Sequence, residues 1–241
     1  MKIYKYSLML ISILFLFACE KETEGISRVT FYTDLQLEGS AEMSVKQGQT
    51  FEPNLLIEGS AEMSVKQGQT FVEPGYIAIE NDEDVTDKVQ VNGTVDTSTP
   101  GAYRLSYVAT NLDGFTKTVN RLVIVVPADA SNADVTGTYK GQRVGRAESA
   151  DACVITSLSN GVFKATDFFG GFYNIVNGYG SAYRLLTYFY ITPENEVVAL
   201  STNSPWGPWE VQNGLYNPAT NVFTHATYQD GFSFNVILTK Q

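Results

Sequence analysis

The sequence predicts an all-β protein, a β-sandwich followed by an antiparallel β-meander. Apolar and polar residues alternate over short runs, as at 102–109 and 118–126, and this period of two sets one face of a strand against a core. Turn-forming clusters punctuate these runs at short intervals, among them Thr99-Pro100-Gly101, Ser159-Asn160-Gly161 and Asn217-Pro218, where Gly, Pro and Asn supply the backbone angles of tight turns. Residues 27–127 carry no helical apolar stripe.

Residues 1–18 come first. Lys2 and Lys5 precede a nearly all-apolar run at 8–17, too short to span a bilayer as a permanent helix and built like a cleaved secretory signal. The run ends in Leu16-Phe17-Ala18-Cys19, which resembles a bacterial lipobox. That resemblance implies that Cys19 receives diacylglycerol and that the chain is cut before it, giving a protein anchored to the membrane rather than spanning it. Glu20-Lys21-Glu22-Thr23-Glu24 is polar enough to stay unpacked, so 19–26 reads as a tether. It is similar to the acidic post-cysteine export signal of Bacteroidetes surface lipoproteins, implying an outer-membrane, lipid-anchored protein facing the cell exterior.

Charge and cysteine usage narrow the partners. The chain has 16 Lys and Arg against 26 Asp and Glu, and removing 1–18 takes away two lysines and no acid, leaving 14 − 26 = −12. An acidic chain without a basic stripe is a poor nucleic-acid binder. Beyond the lipidated Cys19 only Cys153 remains, so no intramolecular disulfide staples the fold. Cys153 lies in the alternating run Ala152-Cys153-Val154-Ile155 and reads as a buried structural thiol rather than a nucleophile.

Residues 27–127 read as the sandwich. Strands are expected at 28–32, 76–79, 87–91, 102–109 and 118–126, with a tight hairpin at Asn111-Leu112-Asp113-Gly114. Residues 38–51 recur identically at 58–71. Two copies do not make a solenoid, and one strand position cannot hold both. The downstream copy runs directly into Val72-Glu73-Pro74-Gly75-Tyr76 and is expected in the fold. The sequence from Val65 through Gly75-Tyr76, Asp84-Val85-Thr86, Thr99-Pro100-Gly101-Ala102-Tyr103 and Asp113-Gly114 resembles the bacterial surface immunoglobulin-like domain, related to repeats of crystal toxins and adhesins. The resemblance implies a spacer or a binding module. Asp82, Asp84 and Asp87 crowd one turn, and they read as solvated turn acids first and as a weak calcium site second; no other cofactor is expected.

A polar linker at 128–134 separates this domain from 135–241. The second domain holds 18 of the chain's 30 aromatic residues. Strands are expected at 136–144, 153–157, 162–165, 182–192, 197–201, 209–216, 222–228 and 232–239, a meander that closes into a small barrel or curls strongly to protect its edges. Gly137-Thr138-Tyr139, Gly170-Gly171, 214–220 and Val236-Ile237-Leu238-Thr239 resemble the C-terminal domain of a group of Bacteroidetes lipoproteins of unknown function. The meander is also distantly similar to the lipocalins.

No nucleophile elbow, metal-ligand cluster or phosphate-cradling loop is present, and His225, the sole histidine, sits in an expected strand; a non-enzymatic protein is expected. The functional hint is aromatic. Trp206 and Trp209 lie in Ser204-Pro205-Trp206-Gly207-Pro208-Trp209, where the prolines stiffen a loop. An indole face with one donor suits stacking on a sugar ring, and Tyr173 and Tyr228 are candidate partners alongside the two tryptophans, although the tyrosines and phenylalanines read first as packing that fills a small barrel and Trp206 reads equally as core. Two readings stay open: a surface lipoprotein that binds glycan through these rings, or a structural or protein-interaction lipoprotein with the immunoglobulin-like domain as spacer. Exposure of Trp206 and Trp209 discriminates them.

Overall fold

The computed structural model describes residues 53–80, 83–111 and 114–241. Residues 1–18, Cys19, the tether, the strand expected at 28–32, the upstream copy 38–51 and Asp82 lie outside the described residues.

The first domain contains β1 (Asn54–Ile57), β2 (Glu62–Lys66), β3 (Tyr76–Glu80), β4 (Glu83–Asp84), β5 (Gln90–Asn92), β6 (Gly101–Thr110) and β7 (Thr116–Val126). They form two sheets, β1-β3-β4 and β2-β7-β6-β5. Leu105, Tyr107 and Ala109 of β6 alternate inward onto Leu55 and Ala78 of the facing sheet, the period-two burial the sequence encodes. The strand expected at 87–91 is shorter than its pattern. Thr86–Lys88 is a 3-10 turn, and strand pairing resumes only at Gln90 opposite Val108.

β2 is drawn from the downstream copy of the repeat and runs parallel to β7, with Glu62 opposite Leu122 and Lys66 opposite Val126. A fully buried Arg121 organises the crossing ahead of it. Its guanidinium donates to the carbonyls of Glu58 at 2.7 Å, Gly75 at 3.1 Å and Ser60, and pairs with Glu73 at 2.8 Å. A buried guanidinium is tolerated only with its donors satisfied and its charge matched, and three backbone carbonyls with one carboxylate do this.

The run Val123-Ile124-Val125-Val126 is buried on both faces. Val123 and Val125 face Val65 inside the sandwich, whereas Ile124 and Val126 pack outward on Val162 and Tyr188 of the second domain. The segment between the domains joins this contact: Ala130 is buried in the same cluster, and the Ser131 amide donates to the Ile191 carbonyl at 2.8 Å. Polar bonds surround the apolar patch. Lys164 Nζ lies 2.6 Å from Glu62 Oε1, the Tyr188 hydroxyl donates to the same carboxylate at 2.8 Å, and Asn160 Nδ2 donates to the Ser64 carbonyl at 3.0 Å. Residues 52–241 therefore form one compact unit.

The second domain is a closed barrel of eight antiparallel strands: β8 (Gly137–Arg143), β9 (Glu148–Ser159), β10 (Val162–Ala165), β11 (Leu186–Ile191), β12 (Glu196–Asn203), β13 (Glu210–Asn217), β14 (Val222–Gln229) and β15 (Phe232–Lys240). The first and last strands pair, Lys140 opposite Thr239, so no edge is left open. Tyr139, Cys153, Phe163, Phe189, Phe223 and Phe234 fill the interior. Burial pushes the Cys153 thiol up to about 12, leaving it a protonated, inert packing group. The strand expected from 182 begins only at Leu186, because Ser181–Tyr183 is a 3-10 turn in a long loop between β10 and β11.

Candidate functional site

Four connections meet at one end of the barrel: 144–147, 166–185, 204–209 and 230–231. The opposite end carries the turns 160–161, 192–195 and 218–221, of which Asn160 touches the first domain. The aromatic end is thus the end remote from that contact.

Loop 166–185 seals this end. Asp167 Oδ1 accepts the amides of Phe169 at 2.9 Å and Leu185 at 3.1 Å, pinning the two ends of the loop together. Burial pushes the Asp167 carboxyl up to about 6, opposed by those same amide donors. Phe168 and Phe169, fully buried, turn into the barrel. The Phe168 ring stacks on His225 with centroids 4.6 Å apart, and His225 Nε2 bonds the Phe168 carbonyl at 2.8 Å. Burial lowers the His225 pKa to about 4, so the ring is a neutral structural donor. Gly170 and Gly141 let the loop press on β8: a Cβ on Gly141 would lie 2.6 Å from the Gly170 Cα, and Gly170 holds a left-handed φ of 64°, which glycine adopts freely.

Beyond Gly171 the chain makes a single π-helical turn, Phe172–Val176, and presents Tyr173, Tyr179 and Tyr183. Trp206 completes the group. Its ring centre lies 4.8 Å from Tyr173 and 5.3 Å from Tyr183; Tyr179 lies 5.4 Å from Tyr183 and 6.2 Å from Tyr173. The four rings close a circuit. Trp206 is 42 % exposed and Tyr179 55 %. The three hydroxyls and the Trp206 indole N–H have no hydrogen-bond partner among the described residues.

The Trp206 loop is held stiffly. Gln229 Nε2 donates to the carbonyls of Trp206 and Pro208, both at 2.9 Å, and the Ser204 hydroxyl donates to the Gly207 carbonyl at 2.8 Å. Thr202 Oγ1 donates to the Trp209 carbonyl at 2.6 Å and accepts its amide at 2.9 Å, taking the place of ladder bonds between β12 and β13.

The sequence-derived candidates separate in space. Trp206 and Tyr173 come together. Trp209 is only 7 % exposed, with its ring edge-on to Phe169 at 4.9 Å; it supports the floor and offers no face to a ligand. Tyr228 lies on β14 next to inward-facing Thr227 and makes no ring contact with the group among the described residues. Asp84 accepts the Thr86 amide at 2.9 Å, and the Thr86 hydroxyl and amide hold its carboxyl below the usual range. Asp87 is exposed in the 3-10 turn, and no three His, Cys, Asp or Glu residues converge as a metal site among the described residues.

Sequence reasoning missed Arg143. Its guanidinium carbon lies 4.4 Å from the ring centre of Phe234, 4.5 Å from Phe172 and 5.4 Å from Phe232. Phe172 in turn packs on Tyr173 at 4.8 Å. Nothing in the local sequence announces the cage, because its rings come from the π-helical turn and from β15.

A family model for the Ig-like domain of bacterial surface proteins matches residues 55–125, and a second, for a C-terminal domain, matches 128–240. No curated protein matches the chain. Among solved structures, the crystal structure of the lipoprotein BT2262 from Bacteroides thetaiotaomicron is 35 % identical, covering 78 % of this chain and 100 % of that one, with a TM-score of 0.47.

Proposed function

The chain belongs to the family of the Bacteroides thetaiotaomicron lipoprotein BT2262, and from that premise we propose that it is a non-enzymatic surface lipoprotein, anchored through Cys19, that binds glycan at the aromatic end of its barrel. The observation that carries the reading is the circuit of Trp206, Tyr173, Tyr179 and Tyr183, in which Trp206 and Tyr179 are exposed, Tyr173 and Tyr183 are half-buried, and the polar tips are unpartnered among the described residues. Aromatic faces stack on the apolar faces of sugars while hydroxyl and indole groups bond their hydroxyls. Rings held by Gln229, Ser204 and Asp167 lose little freedom on binding, which favours affinity.

A glycan array with the mature chain carrying Cys19→Ser tests this. Trp206→Ala is expected to abolish the signal while shifting stability by less than ~1 kcal/mol. Trp209→Ala, in the floor, is expected to cost ~3–5 kcal/mol of stability. Array binding that survives Trp206→Ala would remove the site from the reading. Mass spectrometry of the native N-terminal peptide should find an acylated Cys19, and an unmodified one would remove the anchor.

A second reading, a protein-interaction lipoprotein with the immunoglobulin-like domain as spacer, has one observation in its favour. Ile175 and Val176, 44 % and 37 % exposed, flank Tyr173 and offer apolar surface that sugar recognition does not need. Array silence combined with capture of a surface protein lost on Ile175→Ser would favour it.

A further inference from the structure

Arg143 is the cation of its domain that is enclosed by aromatic rings without an ion-pair partner among the described residues. Lys140 pairs with Glu148 at 3.1 Å and Lys164 with Glu62, but the Arg143 guanidinium has no carboxylate or carbonyl partner among the described residues. It sits half-buried among Phe172, Phe232 and Phe234. The ring faces stabilise a cation but leave its in-plane N–H donors unused. A guanidinium with few water contacts and idle donors is a bidentate receptor for a planar oxyanion, and the attraction strengthens where rings displace water.

The cation also reaches the sugar platform. Phe172 packs on Tyr173, and Tyr173 on Trp206. Burial pushes the Tyr173 hydroxyl up while the positive charge of Arg143 pulls it back, so the guanidinium field is felt at a ring of the circuit. Arg143, Arg146 and Arg184, the three arginines of 135–241, flank the loops of this one end. In a chain of net charge −10, composition alone does not account for an unpaired arginine beside the exposed rings.

We infer that this end of the barrel recognises an acidic glycan, with Arg143 receiving the sugar's carboxylate or sulfate while the ring circuit stacks on the sugar faces. This rests on the glycan reading above and adds the charge of the ligand to it.

Isothermal titration of the mature Cys19→Ser chain with tetragalacturonate, a sulfated galactotetraose and neutral galactotetraose tests it. At least one acidic probe is expected to bind about tenfold or more tighter than the neutral one at low salt, with the preference shrinking as salt is added. Which acidic probe is preferred assigns the group to carboxylate or sulfate. Arg143→Gln should erase the preference and leave neutral binding unchanged, and Arg143→Lys should restore part of it, since it keeps the charge without the fork. Trp206→Ala should weaken all three probes. Neutral binding as tight as acidic, or a preference that survives Arg143→Gln in a folded variant, overturns the role of Arg143 and leaves the glycan reading standing. Binding of no probe overturns both.

Discussion

Glu62 of the first domain and Lys164 of the barrel meet at 2.6 Å across the domain boundary, and the Tyr188 hydroxyl completes the carboxylate at 2.8 Å. Both charged side chains are about a third exposed or less, so the pair sits between a solvated ion pair and a buried one. Beneath it Ile124, Val126, Ala130, Val162 and Tyr188 form a continuous apolar cluster. The domains are thus expected to unfold together. Calorimetry should give a single transition, which Glu62→Gln lowers by about 1–2 kcal/mol; two separated transitions would contradict the coupling.

Gly141 faces the backbone of the loop that carries three of the four rings. Because the atom a new Cβ would strike is the Gly170 Cα at 2.6 Å, the loop backbone itself has to shift. Gly141→Ala is expected to cost about 1–3 kcal/mol and to weaken ligand binding at the same time. A thermal melt and a sugar titration on one variant check both, and unchanged values would show that the close approach is not needed.

Two buried groups titrate in opposite senses. The folded pKa of His225 falls from 6.5 to about 4, so between these values the unfolded state holds more protons, and its contribution is lost as pH drops from 6.5 toward 4. The folded pKa of Asp167 rises from 3.8 to about 6, so the folded state holds the extra proton, and stability falls as pH rises through that window. Asp167→Asn removes only the second effect. Its stability should gain on wild type by up to roughly 3 kcal/mol above pH 6 and show a steeper acid loss below it. Denaturant midpoints at pH 4.5 and 7.5 that move in parallel for the two proteins would rule this out.

The identical segments 38–51 and 58–71 bear on what β2 requires. Arg121 holds this region through the carbonyls of Glu58 and Ser60, and side chains that meet the barrel, Glu62 and Ser64, have counterparts in Glu42 and Ser44. Deleting 52–71 joins Phe51 to Val72 and brings Leu35-Gln36-Leu37 to the place of Leu55-Leu56-Ile57, with a polar residue where Leu56 is 56 % exposed. The shortened chain is expected to fold with an unchanged melting temperature. An unfolded product would mean that the downstream segment has a role its sequence does not share with its twin.

Much of the barrel was legible because period-two alternation and turn chemistry coincide there. The strand read at 222–228 is Val222–Gln229, and that at 232–239 is Phe232–Lys240. The reading slipped where local chemistry overrode alternation. Thr86 with Asp84 turned part of an expected strand into a 3-10 turn, and the loop tied by Asp167 delayed β11 to Leu186. At the site, Pro205 and Pro208 announced the stiff Trp206 loop and a strand was expected from Trp209, yet nothing local showed that Trp209 is buried while Trp206 stays 42 % exposed. The burial of Trp209 depends on rings such as Phe169, which enters from a loop some forty residues away. Arg143 was invisible for the same reason, since a cage assembled from distant rings leaves no mark on its neighbours in sequence.

The parallel pairing of β2 and β7 has a mechanical consequence. The chain enters β2 at Glu62 and leaves β7 at Val126, and because Glu62 lies beside Leu122 and Lys66 beside Val126, entry and exit are at opposite ends of the pair. Force applied along the chain at Glu62 and at Val126 pulls the two strands lengthwise past each other. Their hydrogen bonds bear that load together in shear instead of opening one by one like a zipper. A domain wired this way is a coupling that resists being drawn out.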